Sequence, residues 1–238
     1  MSVKILQSIE QNRAAREEMS RAGISYWPRR APRTLLNRLL LRRAIPVGDS
    51  RKSWDVLETV RLLEARLPKD APIIDLGAYA SEVLCSLHQA GFTRLSGIDL
   101  DPGIVRMPFH EQIQYVVGDM MKVPFEDHSF AAVTSISAIE HGLQLRPLLA
   151  EVSRLLRAGG LFIASTDYWP AKIDTTGIRM YDLEWKIFSR EEIEQLLAVA
   201  AEYGLEPIGE LSFEADERPI TAAGKHFTFA WMALEKRA

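Results

Sequence analysis

One cysteine in 238 residues is too few for an internal disulfide or a cysteine-built zinc cluster, so neither kind of scaffold is available to this chain. That thiol, Cys85, lies in an apolar helical stretch and is expected to be a small core residue. No apolar run approaches the roughly 20 residues that a membrane-spanning helix needs. The opening MSVKILQSIEQNRAAREEMS has no continuous apolar stretch of the secretory kind, which predicts a cytoplasmic chain. Few aromatics accompany the basic residues of the first fifty positions, and this disfavours a nucleic-acid partner.

The composition that remains, 47% hydrophobic and 26% charged, is globular, and the length suits one large domain or a domain with an appendage. The formal net charge of −3 hides an asymmetry. Residues 1–54 hold 12 Lys plus Arg against 4 Asp plus Glu, or +8, and the remainder holds 17 against 28, or −11. A basic segment ahead of an acidic body reads either as a contact for an anionic partner or as a solvated helical arm packed on that body. Helical spacing in patches over residues 1–50, broken by two prolines at SYWPRRAPRT, predicts helices near 3–22 and 32–43. WDVLETVRLLEARL (54–67) sets Val56, Val60, Leu63 and Leu67 near the helical period, which predicts an amphipathic helix. The division expected is a basic helical arm or lid, 1–53, and an α/β domain, 54–238.

From residue 72 strand-like runs alternate with helical stretches. The runs are 72–77, 94–100, 113–119, 130–137 and 161–167; the helices are 81–91, a short piece near 103–109, and 145–160. That alternation predicts a parallel sheet with helices on both faces. Ser189 followed by Glu192 is a capping-box signature opening a helix over 189–204. Two later runs, 206–213 and 226–236, are expected to form a terminal antiparallel pair.

In such a sheet ligands sit outside the carboxyl ends of the strands, where strand order reverses. The first strand ends in Asp75-Leu76-Gly77, and the second reaches Asp99 22 residues after that glycine. A carboxylate at about this distance is where a ribose diol is held, since it can accept two hydrogen bonds. The third strand ends in Gly118-Asp119-Met120, where Asp119 suits an adenine amino group and Met120 a ring face. The fourth ends in Ser135-Ile136-Ser137, with Glu140-His141 just beyond.

These stretches, PIIDLG, GIDLDP, GDMMKVPFEDHSFAAVTSISAIEHG and LLRAGGLFIAST, together resemble class I S-adenosylmethionine-dependent methyltransferases of the broad small-molecule, type 11-like kind, over about residues 71–167. The resemblance implies a Rossmann-like, doubly wound α/β fold: a mostly parallel seven-stranded sheet with an antiparallel last strand, here with an N-terminal helical extension. It implies S-adenosyl-L-methionine as cofactor and S-adenosyl-L-homocysteine as product. Asp75, Gly77, Ala78, Tyr79, Asp99, Leu100, Gly118, Asp119, Met120, Ser135 and Ile136 would line the donor site. The family's first turn carries three alternating glycines; here Gly77 is kept, and Tyr79 and Ser81 replace the others. A methyl donor has no pyrophosphate, so Tyr79 is expected to reshape the rim, against the donor's methionine part. The missing glycines count against a nicotinamide enzyme.

On the acceptor side, His141 is the histidine that follows the fourth strand, as a base, an acceptor contact or part of the turn itself. Glu140 beside it is an acceptor contact, and the two alone are too few to predict a metal. The long segment 167–188 is read as an acceptor-side insertion. Its Tyr168, Trp169, Tyr181 and Trp185, with Asp167, Asp174 and Asp182, suit a sugar-like ring, and Asp167 joins His141 as a catalytic candidate. The basic arm would favour an anionic acceptor. The predicted activity is methyl transfer to an oxygen of a small or sugar-like acceptor; the alternative is a non-catalytic domain that binds a partner through its basic arm.

Overall fold

The computed structural model describes residues 1–26, 45 and 47–237. Val3–Ile5 form the first strand (β1) and Ile9–Arg21 the first helix (α1), capped by the Ser8 hydroxyl on the Gln11 amide. The helix predicted from residue 3 therefore starts later. Val3 and Ile5 alternate with Lys4 at the strand period, and they pair antiparallel with Met232 and Ala230. The helix expected at 32–43 lies outside the described residues.

After Ser53–Arg66 (α2) come Pro72–Leu76 (β2), Val83–Gln89 (α3), Arg94–Asp99 (β3), Ile113–Val117 (β4) and Phe130–Ile136 (β5). Leu145–Leu155 (α4) is followed directly by Leu156–Tyr168 (β6), so the Arg157–Gly160 stretch belongs to a strand and not to the helix predicted through it. The remaining elements are Arg179–Met180 (β7), Leu183–Glu184 (β8), Arg190–Glu202 (α5), Leu205–Pro207 (β9), Ile220–Ala222 (β10) and Lys225–Lys236 (β11). Ser189 and Glu192 make the reciprocal capping box at the start of α5. The run expected over 206–213 contributes only the three residues of β9, antiparallel to β11.

The sheet runs β1-β11-β6-β5-β2-β3-β4. The pairs from β6 to β4 are parallel, and β11 runs antiparallel to β6 over eight residue pairs. β1 and β9 share the outer edge of β11, which shields backbone groups that would otherwise template aggregation. Alternate residues of each strand feed two cores. Ile73, Leu161, Ile163, Phe229 and Trp231 pack under α1, α2 and α3; Ile74, Phe162, Ala164, Met232 and Leu234 pack under α4 and α5. Cys85 is buried in the first core. The loop Val123–Ser129 is clamped from α4: Arg154 donates to the carbonyls of Phe125 and Val123 and to Asp127, and Glu151 accepts from the Val123 amide.

Candidate active site

Strand order reverses between β2 and β5, each of which neighbours the other and starts a run in the opposite direction. At that point Gly77 has a left-handed backbone (φ +79°), and a Cβ there would stand 2.7 Å from the Ala138 methyl. Only glycine meets both demands. Beneath it Asp75 is buried; its Oδ1 accepts from the Thr134 hydroxyl at 2.6 Å, and its Oδ2 is buried without a hydrogen bond among the described residues. Burial pushes this carboxyl up to about 7, with the Thr134 and Ser81 hydroxyls partly opposing it.

Asp99 closes the end of β3. Its Oδ2 accepts from the Tyr79 amide at 3.0 Å and its Oδ1 from the Asp101 amide at 2.9 Å. The Tyr79 ring lies against Gly103, where a Cβ would be 2.8 Å from Tyr79 Cε2. The ring therefore leans along the end of β3. The Ser81 hydroxyl also accepts from the Val83 amide at 3.3 Å, at the start of α3. Asp119 is exposed and turns its Oδ1 to the Met121 amide, while Met120 is half-buried with its terminal methyl 3.3 Å from the position of a Gly77 Cβ. Ala78 is buried, Gly118 is half-buried, and Leu100 stands exposed at 67%. Ser135 is buried with its hydroxyl on the Leu76 carbonyl, and Ile136 is half-buried against the first core.

Beside this turn lies a cavity of about 100 Å³. One wall is polar: Asp49, Arg51 and Lys52 from the segment before α2, Ser137, Glu140 and His141 after β5, and Asp167 near the end of β6. The other is largely apolar: Met180 and Tyr181 from the β7–β8 turn, Ile220 and Ala222 of β10, and Phe227 and Phe229 of β11. Lys52 stands at the centre of the polar side, donating to the Ser137 hydroxyl and, at 3.4 Å, to Asp167, with its ammonium 3.6 Å from the centre of the Phe229 ring. Asp167 also accepts from the Trp185 indole at 2.7 Å. Behind them Asp55 of α2 accepts from Ser165 at 2.7 Å; burial pushes it up to about 6, against the pull of Lys52.

Glu140 is buried and its Oε2 has no hydrogen bond among the described residues; burial and then the neighbouring Asp167 push it up to about 8, against Lys52. Burial holds His141 below its ordinary value, so its ring is neutral at pH 7, and its Nδ1 is likewise buried without a partner among the described residues. Tyr181 is 83% exposed, sits in a left-handed turn (φ +56°) and presents its ring edge-on to His141 at 5.4 Å.

The cavity thus brings together Glu140, His141, Asp167 and Tyr181 of the residues predicted for the acceptor side. It does not include the others. Tyr168 is fully buried on the opposite face of the sheet, its hydroxyl donating to the Phe213 carbonyl. Trp169 is stacked by Arg218 at 4.2 Å, and Asp174 is exposed and accepts from the Thr176 amide. Lys52 and Asp55 were missed by sequence reasoning, although their three-residue spacing at the start of an amphipathic helix aims both at one side. Replacing Lys52 by Met strips the counter-charge from Asp167 and Asp55, and urea unfolding at pH 7 should show a loss of about 3 kcal/mol. An unchanged midpoint would mean that the pair is screened by solvent.

Residues 74–164 match a family model described as a methyltransferase domain. A sterol 24-C-methyltransferase of Gibberella zeae is 29% identical over 121 residues, 51% of this chain and 31% of that enzyme. A phthiotriol/phenolphthiotriol dimycocerosates methyltransferase of Mycobacterium tuberculosis is 38% identical over 90 residues, 36% of this chain and 32% of that one. The matched stretch therefore spans about a third of either relative's length. Among solved structures, geranyl diphosphate C-methyltransferase from Streptomyces coelicolor A3(2), in complex with Mg2+, geranyl-S-thiolodiphosphate and S-adenosyl-L-homocysteine, superposes with a TM-score of 0.59. It is 18% identical, with 93% of this chain and 98% of that one covered, a likeness of fold. Residues 74–164 thus match a methyltransferase-domain model, on a fold shared with a solved methyltransferase that holds S-adenosyl-L-homocysteine.

Proposed function

We propose that this protein methylates a hydroxyl oxygen of a small, largely apolar acceptor bound in the cavity beside the Gly77 turn. The donor half suits S-adenosylmethionine: Gly77 gives the turn a left-handed backbone with no side chain, and among the described residues each Asp99 oxygen accepts one hydrogen bond, which leaves a site on both for a ribose diol. Asp119 and Met120 would receive the adenine end. S-adenosylmethionine, when bound, supplies an electrophilic methyl group and departs as S-adenosylhomocysteine.

The observation that carries the acceptor half is the pair of buried polar atoms on adjacent residues, Glu140 Oε2 and His141 Nδ1, that have no partner among the described residues and lie beside one cavity. His141, held neutral, takes the proton of the acceptor hydroxyl. Glu140, protonated at neutral pH, donates a hydrogen bond to the same oxygen and orients it. Asp167 is committed to Trp185 and Lys52, which makes it a positioning residue and not the base. Sugar stacking loses support, because Tyr168, Trp169 and Trp185 are engaged elsewhere and Tyr181 alone of that set faces the cavity.

Carbon methylation is a second reading, favoured by Phe227 and Phe229 on the apolar wall and by the relatives named as C-methyltransferases. The test is calorimetry with S-adenosylhomocysteine, then incubation with methyl-labelled S-adenosylmethionine and a panel of hydroxylated apolar compounds. Micromolar binding and an O-methyl ether product are expected. No binding at high micromolar ligand would leave a non-catalytic domain, and a methyl group on carbon would select the second reading.

A further inference from the structure

Arg16 projects from α1, which lies outside the matched domain, and reaches the donor turn. Its Nη1 and Nη2 donate to Glu82 Oε1 and Oε2 at 2.7 and 2.8 Å. Its Nε donates to the Ser53 hydroxyl at 2.8 Å, one residue from Lys52 in the acceptor cavity. Glu82 is the residue before α3 and its side chain is only 2% exposed; it also accepts from the Tyr26 amide at 2.8 Å. A planar guanidinium held two-pronged by a buried carboxylate fixes both position and angle.

The turn so gripped is the one that lost two glycines. Ala80 carries its left-handed kink (φ +59°), a conformation that alanine adopts only under constraint. Two contacts supply constraint locally: the Gly48 amide donates to the Ala80 carbonyl at 2.9 Å, and the Ala80 amide reaches Met107 Sδ at 3.4 Å. Gly48 itself is tied to the same grip, since a Cβ on it would meet Glu82 Oε2 at 3.0 Å. Arg16, Glu82 and Gly48 thus form a brace around Gly77–Glu82 built from residues that the domain match does not include, Glu82 excepted.

We propose that Arg16 is a positioning residue for the methyl donor: the Arg16–Glu82 pair holds the Gly77–Glu82 turn in its binding shape, offsetting from outside the strain of a left-handed Ala80 that a glycine there would not have. This rests on the reading that the turn receives S-adenosylmethionine. The experiment is calorimetry of the full chain with S-adenosylhomocysteine, beside hydrogen exchange of the Tyr79 and Ala80 amides. Arg16→Met should bind at least tenfold more weakly, with faster exchange at both amides and unchanged exchange in the central strands. Arg16→Lys, which keeps the charge without the fork, should lose a few-fold. Glu18→Gln, which loosens α1 from Arg61 on the surface, should bind like the wild type. Wild-type affinity in Arg16→Met despite a lower melting temperature makes the brace merely structural and overturns the proposal. Should Arg16→Met fail to fold, wild-type affinity and exchange in Arg16→Lys do the same. Failure of the wild type itself to bind defeats the donor-site reading beneath it.

Discussion

Asp99→Ala should lower affinity for S-adenosylhomocysteine about 100-fold in calorimetry, the equivalent of about 3 kcal/mol. Each Asp99 oxygen offers two acceptor sites. Among the described residues one site on each is taken, by the amides of Tyr79 and Asp101, which leaves one on each oxygen for the ribose diol proposed here. Two hydrogen bonds to a charged acceptor, each worth roughly 1.5 kcal/mol net, account for the size of the loss. The same substitution frees the Tyr79 amide, so the ring loses its anchor along Gly103, and the loss should fall mainly on dissociation. Asp99→Asn keeps one oxygen acceptor and turns an NH2 toward one of the two amides, and it should lose roughly tenfold. Unchanged affinity in Asp99→Ala would remove this residue from the donor site.

The strand-end residues proposed for the donor were legible as a set because each is local. Asp75, Gly77, Asp99 and Asp119 each sit within two residues of a strand's carboxyl end, and alternation of strand and helix is enough to line those ends up along one edge. The acceptor half depends on contacts distant in sequence. Lys52 meets Asp167 across 115 positions, and β1 pairs with residues more than 200 positions away, so neither leaves a periodic trace near itself. Tyr168 could have been placed correctly. Successive side chains of a strand point to opposite faces, and Leu161, Ile163, Ser165 and Asp167 share the face of α2, which sends Phe162, Ala164 and Tyr168 to the other. Reading 167–188 as one loop cost that distinction, because the strand continues through Tyr168.

Glu140→Gln should stabilise the protein, by an amount that grows with pH. Burial raises the Glu140 carboxyl to about 8, from an ordinary 4.5. Below about pH 4.5 both folded and unfolded chains hold the proton, and the group is neutral to stability. Between there and pH 8 the folded chain keeps a proton that the unfolded chain releases, so stability falls as pH rises, by up to about 1.4 kcal/mol per unit. Asp55 and Asp75, raised to about 6 and about 7, act in the same direction over narrower windows ending at those values. Glutamine is already neutral and escapes the penalty at that one position. Urea unfolding at pH 5 should therefore separate wild type and variant by less than about 1 kcal/mol, and at pH 8.5 by at least about 2 kcal/mol in favour of glutamine. Affinity for S-adenosylhomocysteine should not change, since Glu140 is proposed for the acceptor half. A carboxyl that costs stability at neutral pH and has an oxygen beside a cavity with no partner among the described residues is the pattern of a group kept for what it binds. A difference independent of pH would mean instead that Lys52 holds Glu140 ionised throughout, and the hydrogen bond it is proposed to donate to the acceptor oxygen would have no proton to make it.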